Sequence, residues 1–354
     1  MSELDQTKMN AFVGKMVGVL NGGMLALMTS IGRQTGLFEV MATLPASTSE
    51  EIAEAATLNE RYVREWLGAM VTGGIVEYDH EANSYLLPAE HAVVLTNAAG
   101  SRNMARFTQY IPMLGEVEAY IINCFHNGGG VTYARYPRFQ DLMSQSSGLR
   151  FDSLLFEKMI PLTGMTEALA DEIEVLDVGC GRGHAINMLA QTFLNSEFAG
   201  YDFPEEGIAA AKAEAQEMDN RNVRFEVHDL ATLNESGRYD LITAFDVIHD
   251  QARPAKVLQA IANALTSNGT FLMMDIRASS NLQDNIAYPF APFLYTISTM
   301  HCMTVSLAQD GPGLGTVWGE QKALSMLADA GFADVVVNLI PEDPLNNYYV
   351  ARKA

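Results

Sequence analysis

The stretch Glu174-Val-Leu-Asp-Val-Gly-Cys-Gly-Arg-Gly183, followed at once by His184-Ala-Ile-Asn-Met-Leu-Ala190, decides the fold of this chain. Val175, Leu176 and Val178 form a short apolar run of the kind that makes a buried strand. Residues 184–194 carry the spacing of a helix, and three glycines turn the chain between the two. A strand that enters a helix through such a turn brings backbone N–H groups to the strand's carboxyl end, where open α/β sheets bind ligands. Dinucleotide sites space their glycines as Gly-x-Gly-x-x-Gly. Here the third glycine, Gly183, falls one position early and His184 stands in the expected place. The strand ends in Asp177, which is expected to repel a pyrophosphate and to pair with a ligand ammonium group.

Outward from this turn, strand patterns recur at 197–202, 223–227, 240–245, 270–276, 334–338 and 347–351. Helical patterns lie at 184–194, 205–218, 254–266 and 320–330. The alternation predicts an α/β domain with a parallel sheet and helices on both faces. The last two strands are joined by a connection too short for a helical crossover, so that pair is expected to be antiparallel. Asp202 closes the second strand, placed to accept hydrogen bonds from ribose hydroxyls. Three glycines, an acid before them and another ending the next strand make a specific nucleotide-type signature.

The N-terminal half reads differently. Residues 10–42 carry helical spacing (Val13, Met16, Val17, Leu20, Met24, Leu27, Met28, Ile31) up to Pro45. Thr48-Ser-Glu-Glu51 is a capping box for a second helix. Asn59 is an N-cap for a third, with Tyr62, Val63, Trp66, Leu67 and Met70 on one face. Gly73-Gly74 stops it, and strands at 75–78 and 84–87 form a hairpin. Helix, helix, hairpin is the order of a winged helix, either a DNA reader or a scaffold that shapes a pocket or a dimer. Residues 97–105 are small and polar and read as a hinge. From 106 to 170 the chain is again mostly helical, interrupted by Gly128-Gly-Gly130 and the aromatic residues Tyr133, Tyr136 and Phe139. Three glycines fit a loop closing over a site, or a simple interhelical turn.

Composition narrows the partners. The 354 residues contain 22 Lys and Arg against 43 Asp and Glu, a formal charge of −21 that opposes contact with a phosphate backbone. The mixed charge of the 59–72 helix favours the scaffold over the DNA reader, so no nucleic acid partner is expected. Three widely separated cysteines (Cys124, Cys180, Cys302) fit a reducing compartment. No Cys-x-x-Cys or His-x-x-x-His pair suggests a metal site. The polar start Met-Ser-Glu-Leu-Asp-Gln is unlike a signal peptide. The apolar run Phe12–Met28, interrupted by Lys15 and Asn21, reads as too short to span a bilayer, hence as a buried or dimer-forming helix. A soluble, cytoplasmic protein without membrane contact is expected.

The glycine turn with Asp177, Gly179, Gly181 and Asp202 resembles the class I S-adenosylmethionine (SAM)-dependent methyltransferases. His228-Asp229-Leu230 matches the position whose acid meets the adenine amino group. Ala244-Phe245-Asp246 falls where that family lines the methionine part of the cofactor. Ser267 to Asp275, keeping Gly269, looks like its turn and fifth strand, and Ala330-Gly-Phe332 precedes its closing hairpin. The resemblance implies a seven-stranded Rossmann-like sheet behind a mainly helical winged-helix-like domain. The organisation it suggests is 1–100 winged-helix-like and dimerisation domain, 101–170 helical connector contributing to a lid, and 171–354 SAM-binding domain. It implies SAM as cofactor, no metal, and cofactor contacts from Asp177, Gly179, Gly181, Asp202, Phe203, Asp229, Leu230 and Phe245.

A narrower resemblance rests on Asn59-Glu-Arg-Tyr-Val-Arg-Glu-Trp-Leu67, Phe245-Asp-Val-Ile-His-Asp-Gln251 and Leu314-Gly-Thr-Val-Trp-Gly319. These look like a largely uncharacterised group that includes a mycobacterial methyltransferase and nematode paralogues. The group is related to small-molecule O-methyltransferases that dimerise through a winged-helix domain. In those enzymes a His-Asp pair after the fourth strand supplies the general base. His249-Asp250 occupies the matching place, although Gln251 stands where a Trp often follows. Position alone leaves His249 open between that role and capping the helix that Pro254 initiates. The resemblance implies His249 as base, with Asp250 influencing its orientation.

An alcohol, phenol or thiol acceptor gains from losing its proton as it attacks, and histidine titrates near neutrality. The insertion after the fifth strand is expected to roof the acceptor site, with Tyr295, His301 and Trp318, together with Tyr133, as substrate residues. The expected function is methyl transfer to an O or S atom of a small molecule by a homodimer. A SAM-sensing, catalytically inactive DNA-binding regulator is the alternative.

Overall fold

The computed structural model describes residues 4–353, which fall into two compact units meeting at Gly115 and Glu116. In the first, helix α1 (Gln6–Gln34) starts at Asp5, whose carboxylate accepts the Lys8 N–H at 3.1 Å. Thr35 and Gly36, the latter at φ 74°, break the expected 10–42 run, and α2 (Leu37–Met41) resumes it. α3 (Ser49–Ala56) has the capping box of Thr48 and Glu51, and α4 (Glu60–Thr72) is capped by the Asn59 side chain. Strands β1 (Glu77–Asp79) and β2 (Ser84–Leu86) pair antiparallel, completing a winged-helix-like arrangement.

Its core gathers Phe38, Ile52, Leu67 and Met70 around Trp66, which is 2% exposed. The Trp66 indole N–H donates to the Met28 carbonyl at 2.8 Å, and the ring meets Phe38 edge-on at 5.3 Å. On the outer face of α4, Arg61 pairs with Glu65 at 2.5 Å and Arg64 with Glu60 at 3.2 Å. Both arginines of this helix are thus held by acids one turn away.

Helix α1 departs from expectation. Within this unit its apolar run is not buried: Phe12 is 60% exposed, Val17 52% and Leu20 59%. Nor is it too short to span a bilayer. Regular hydrogen bonding carries the helix past the apolar run at both ends to 29 residues, and it is the one helix among the described residues long and apolar enough to cross a membrane by length and composition. Apolar helices that pack against protein pass the same test.

The second unit is built on a seven-stranded sheet ordered β5-β4-β3-β6-β7-β9-β8. Its strands are β3 (Glu174–Val178), β4 (Glu197–Asp202), β5 (Val223–Val227), β6 (Tyr239–Phe245), β7 (Leu265–Ile276), β8 (Phe332–Asn338) and β9 (Asn346–Lys353). β3 to β7 run parallel, and β9 lies antiparallel between β7 and β8, as the short last connection requires. The first three strands match their sequence patterns end for end, while β7 reaches back to Leu265. Strand order reverses between β3 and β6, which opens a crevice at their carboxyl ends.

A helix at Phe139–Leu154 belongs to this second unit and packs Phe151 on Phe245, with ring centroids 5.1 Å apart. We expect Trp66→Ala to destabilise the first unit by about 3–5 kcal/mol, the usual range for emptying a buried indole site. Urea denaturation checks it, and a loss below about 1 kcal/mol would mean that this core does not depend on Trp66.

Candidate active site

The glycine turn is shaped by close approach. Gly179 lies at φ 70°, and a Cβ there would stand 2.4 Å from Val247, so the turn and the chain after β6 are pressed together. The Gly181 N–H donates to Asp202 Oδ2 and the Phe203 N–H to Asp202 Oδ1, both at 2.7 Å. Burial raises the Asp202 carboxyl and these two N–H groups oppose it. Asp177 turns toward the sheet, where the Thr243 hydroxyl donates to it at 2.7 Å. Burial pushes its carboxyl up to about 7, against that hydrogen bond. Asp229 accepts the Ala231 N–H at 3.0 Å and the Arg253 guanidinium at 2.7 Å. Leu230 beside it is buried, Phe203 is 71% exposed, and Phe245 is half-buried against Phe151.

His249 follows β6 on a short 3-10 turn, Ile248–Asp250, and is 5% exposed. Its Nδ1–H donates at 2.9 Å to Asp275 Oδ1 at the end of β7. The same oxygen accepts the Trp318 indole N–H at 3.0 Å and the Ile276 N–H at 2.8 Å. The hydrogen bond that orients His249 therefore comes from Asp275 and not from Asp250. Adjacent residues on a 3-10 turn point in different directions, and the Asp250 carboxylate instead accepts the Tyr133 hydroxyl. Burial lowers the His249 pKa, but the Asp275 carboxylate and then Cys302 raise it, and the sum lies well above the ordinary value. Burial lifts the Asp250 carboxyl to about 6, with His249 and Tyr133 pulling the other way.

Across from this pair, Ser298–Cys302 form a π-helical turn, a device frequent at functional sites. Tyr136 Oη donates at 2.5 Å to the Met300 carbonyl on this turn. His301 is fully buried, stacked on Phe139 at 3.4 Å and edge-on to Tyr136 and Tyr133. Neither of its ring nitrogens has a partner among the described residues. Burial, then the His249 charge, push it down to about 3, so it stays neutral. The triple glycine supplies the approach: a Cβ on Gly130 would stand 2.0 Å from the Thr304 carbonyl oxygen, and the Val131 N–H donates to Thr304 Oγ1. This contact leads directly into Tyr133.

Of the sequence-predicted residues, His249, Asp250, Tyr133 and His301 come together, and Trp318 joins them through Asp275. Tyr295 is 37% exposed and takes a hydrogen bond from Asn285, with no bond or ring contact to that group. Asp275 lies outside the candidates the sequence offers, although an acid ending a strand is the same signal read at Asp202. Phe139 and Tyr136 were visible as an aromatic run, but the imidazole they enclose was not. Among the described residues no group of three or more His, Cys, Asp or Glu side chains is placed to hold a metal.

His184 shows what replaced the third glycine. Its Nδ1–H donates to Glu214 at 2.5 Å and its Nε2–H to Asp152 at 2.9 Å, which requires the imidazolium. The Glu214 bond raises its pKa, burial opposes, the Asp152 bond adds, and the result is about 9 from a starting 6.5. Because the folded value lies above the unfolded one, this stabilisation is fully present below pH 6.5 and is lost as pH rises through about 9. We expect His184→Gln to lower the thermal midpoint at pH 6 and to match the parent above pH 9.5. A gap independent of pH would show that the ion pairs contribute nothing.

Comparison with known proteins follows the same division. Residues 23–97 match the family model of the Rv2258c-like winged HTH domain, and residues 169–331 match that of a methyltransferase domain. A malonyl-[acyl-carrier protein] O-methyltransferase from Bacillus cereus is 27% identical over 146 residues, 41% of this chain and 49% of that protein. The chain spans about half the length of the curated relatives it matches. Among solved structures, human N-acetylserotonin methyltransferase in complex with SAM superposes with a TM-score of 0.71 at 14% identity, covering 100% of this chain and 99% of that one. The mitomycin 7-O-methyltransferase does so with a TM-score of 0.70 at 16% identity, covering 99% and 100%. The chain thus has a methyltransferase-type Rossmann-like fold preceded in sequence by an N-terminal winged-helix domain.

Proposed function

We propose that this chain is a SAM-dependent methyltransferase acting on an oxygen or sulfur atom of a small-molecule acceptor, with His249 as general base. The observation that carries the reading is a buried imidazole bonded at 2.9 Å to a fully buried carboxylate, at the carboxyl edge of β6 and β7. SAM, when bound, supplies a methyl group on a sulfonium, whose departure needs no proton. The protein's share is to align the acceptor, exclude water and accept the acceptor's proton. With Nδ1–H committed to Asp275, Nε2 is the nitrogen that receives it. Asp275 stabilises the imidazolium that results, and Trp318 fixes Asp275.

The residues around the crevice fit SAM in kind. Asp202, Gly179 and Gly181 suit its ribose and backbone contacts, Asp229, Leu230 and Phe203 its adenine, and Phe245 its methionine arm. Asp177 supports the turn from within the sheet. Tyr133, Asp250 and His301 offer polar atoms inside an aromatic wall for the acceptor, with Tyr295 at the periphery. The three cysteines are free, in keeping with a cytoplasmic setting. We assign the exposed face of α1 to a second copy of the chain: Gly14, Gly18 and Gly22 leave open space at one-turn intervals for a close helix contact. Engagement of Arg61 and Arg64 by neighbouring acids argues against the DNA-binding alternative, and the assignment to the mycobacterial and nematode group remains part of this proposal.

His249→Gln is expected to lower turnover by about 10²–10⁴-fold while SAM binding, followed by calorimetry, stays within twofold. Turnover should rise with pH as His249 loses its proton. Asp275→Asn removes the charge that raises its pKa, so that limb should move to lower pH while maximal turnover falls. Unchanged turnover in His249→Gln would eliminate the base role. For α1, Val17→Glu with Leu20→Glu should convert a dimer to a monomer in analytical ultracentrifugation, and a parent that sediments as a monomer sinks that assignment.

A further inference from the structure

His249 is gripped from two sides by one segment of chain, residues 315–319. The Gly315 N–H donates to the His249 carbonyl at 3.0 Å, and the Trp318 indole N–H donates to Asp275 Oδ1 at 3.0 Å. That oxygen is the one that receives the His249 Nδ1–H. The segment is itself pinned in place. The Trp318 backbone N–H donates to the Gly315 carbonyl at 3.1 Å, and the Ser280 hydroxyl donates to the Trp318 carbonyl at 2.6 Å. A Cβ on Gly319 would stand 2.1 Å from the Ser280 backbone nitrogen, so the segment presses directly on the chain that leaves β7. Trp318 is 5% exposed and belongs to the core that includes Ile248 and Met273.

Three donors meet on Oδ1 of Asp275, while its Oδ2 has no partner among the described residues. The charge offered to the imidazole is therefore divided among the His249 ring, the Ile276 backbone and the indole. Ile276 contributes a main-chain N–H that any residue but proline would supply. Trp318 contributes a side chain, so its share is a property of this sequence. An indole donates and cannot accept, so it stabilises only the charged carboxylate. The other titratable groups that act on His249 are Cys302 and His301 on the π-helical turn, and Asp246 and Asp250 on its own segment. The indole N–H is bonded to Asp275, so its effect on the imidazole passes through that carboxylate.

We propose that Trp318 is a positioning residue of the base: acting through Asp275, its indole N–H tempers the carboxylate's charge and keeps the His249 ring from holding its proton too tightly. The inference deepens the general-base reading and rests on it for its bearing on turnover. Without the indole bond the carboxylate binds the imidazolium more strongly, and the ring gives up its proton only at higher pH. A base that stays protonated near neutrality accepts nothing, so the indole enlarges the fraction of enzyme ready to react. This role sets Trp318 behind the base rather than in the acceptor wall.

The test is an NMR titration of the His249 imidazole on the full chain carrying labelled histidine and tryptophan, the His249 signal being identified by its loss in His249→Gln. Trp318→Phe keeps a ring in the core and removes the N–H, and should move the His249 midpoint up by about half a pH unit or more. In the Asp275→Asn background the same change should move it much less. An equal shift in both backgrounds means that the ring acts by packing and overturns the inference. So does a midpoint that stays put or falls in a folded Trp318→Phe protein, or a ring that stays protonated over the whole folded range of the unaltered one. The unaltered protein also decides the matter if the variants misfold. The chain has two tryptophans, and Trp66 donates to a backbone carbonyl. One indole N–H signal should therefore move with the His249 midpoint and the other should not, and two unresponsive signals overturn the inference. These readings need neither SAM nor an acceptor. If the midpoint moves as expected while the pH limb of turnover does not follow it, the general-base reading falls and the link from Trp318 to His249 stands.

Discussion

Burying a carboxylate costs several kcal/mol unless donors surround it, and Asp275, with no exposure to solvent, gathers its donors on one oxygen while the other has no partner among the described residues. One of its oxygens receives the His249 ring, the Trp318 indole and the Ile276 backbone. Three separate pieces of chain are held in register by this oxygen: the turn after β6, the end of β7 and the start of the Gly319–Asp329 helix. A histidine so anchored has its Nδ1 committed and its ring orientation fixed. The orientation of His249, its raised pKa and the placement of the last helix are consequences of the same contact.

The walls of the crevice add acids and aromatic rings rather than free cations. Asp250, Asp246 and Asp202 all have carboxyls pushed upward by burial, and the nearby Arg150 is shared between Asp246 and Asp343. Charge is compensated locally, pair by pair. The Phe139–Leu154 helix is joined to the segments at the strand ends by such pairs along its length: Asp141 with Arg182, Arg150 with Asp246, and Asp152 with His184. Two of those partners lie in or just after the glycine turn. A helix outside the Rossmann-like sheet is therefore electrostatically continuous with the glycine turn that shapes the crevice.

Much of this architecture is legible in the residues themselves. Strands β3, β4 and β5 are apolar or alternating runs bounded by turn residues, and their limits follow from local pattern alone. Thr48 and Asn59 act within four residues of themselves, so their roles are written in their neighbours. Helix α1 is the exception among the long elements. Its apolar content reads as burial, yet the unit leaves most of it exposed, because burial depends on what packs against a helix and not on its own composition.

What the sequence by itself determined is the α/β order, the winged-helix-like order before it, and the cluster of acids and glycines at the strand ends. Tertiary structure alone decided which acid pairs with His249. Asp250 adjoins His249 in the chain, but Asp275, twenty-six residues away, faces it across β6 and β7. Likewise Arg150 and Asp246 are separated by ninety-six residues and meet only when a helix crosses the end of the sheet. Local pattern reports forces that act along the chain, whereas hydrogen bonds between buried charges are fixed by packing that brings distant segments together.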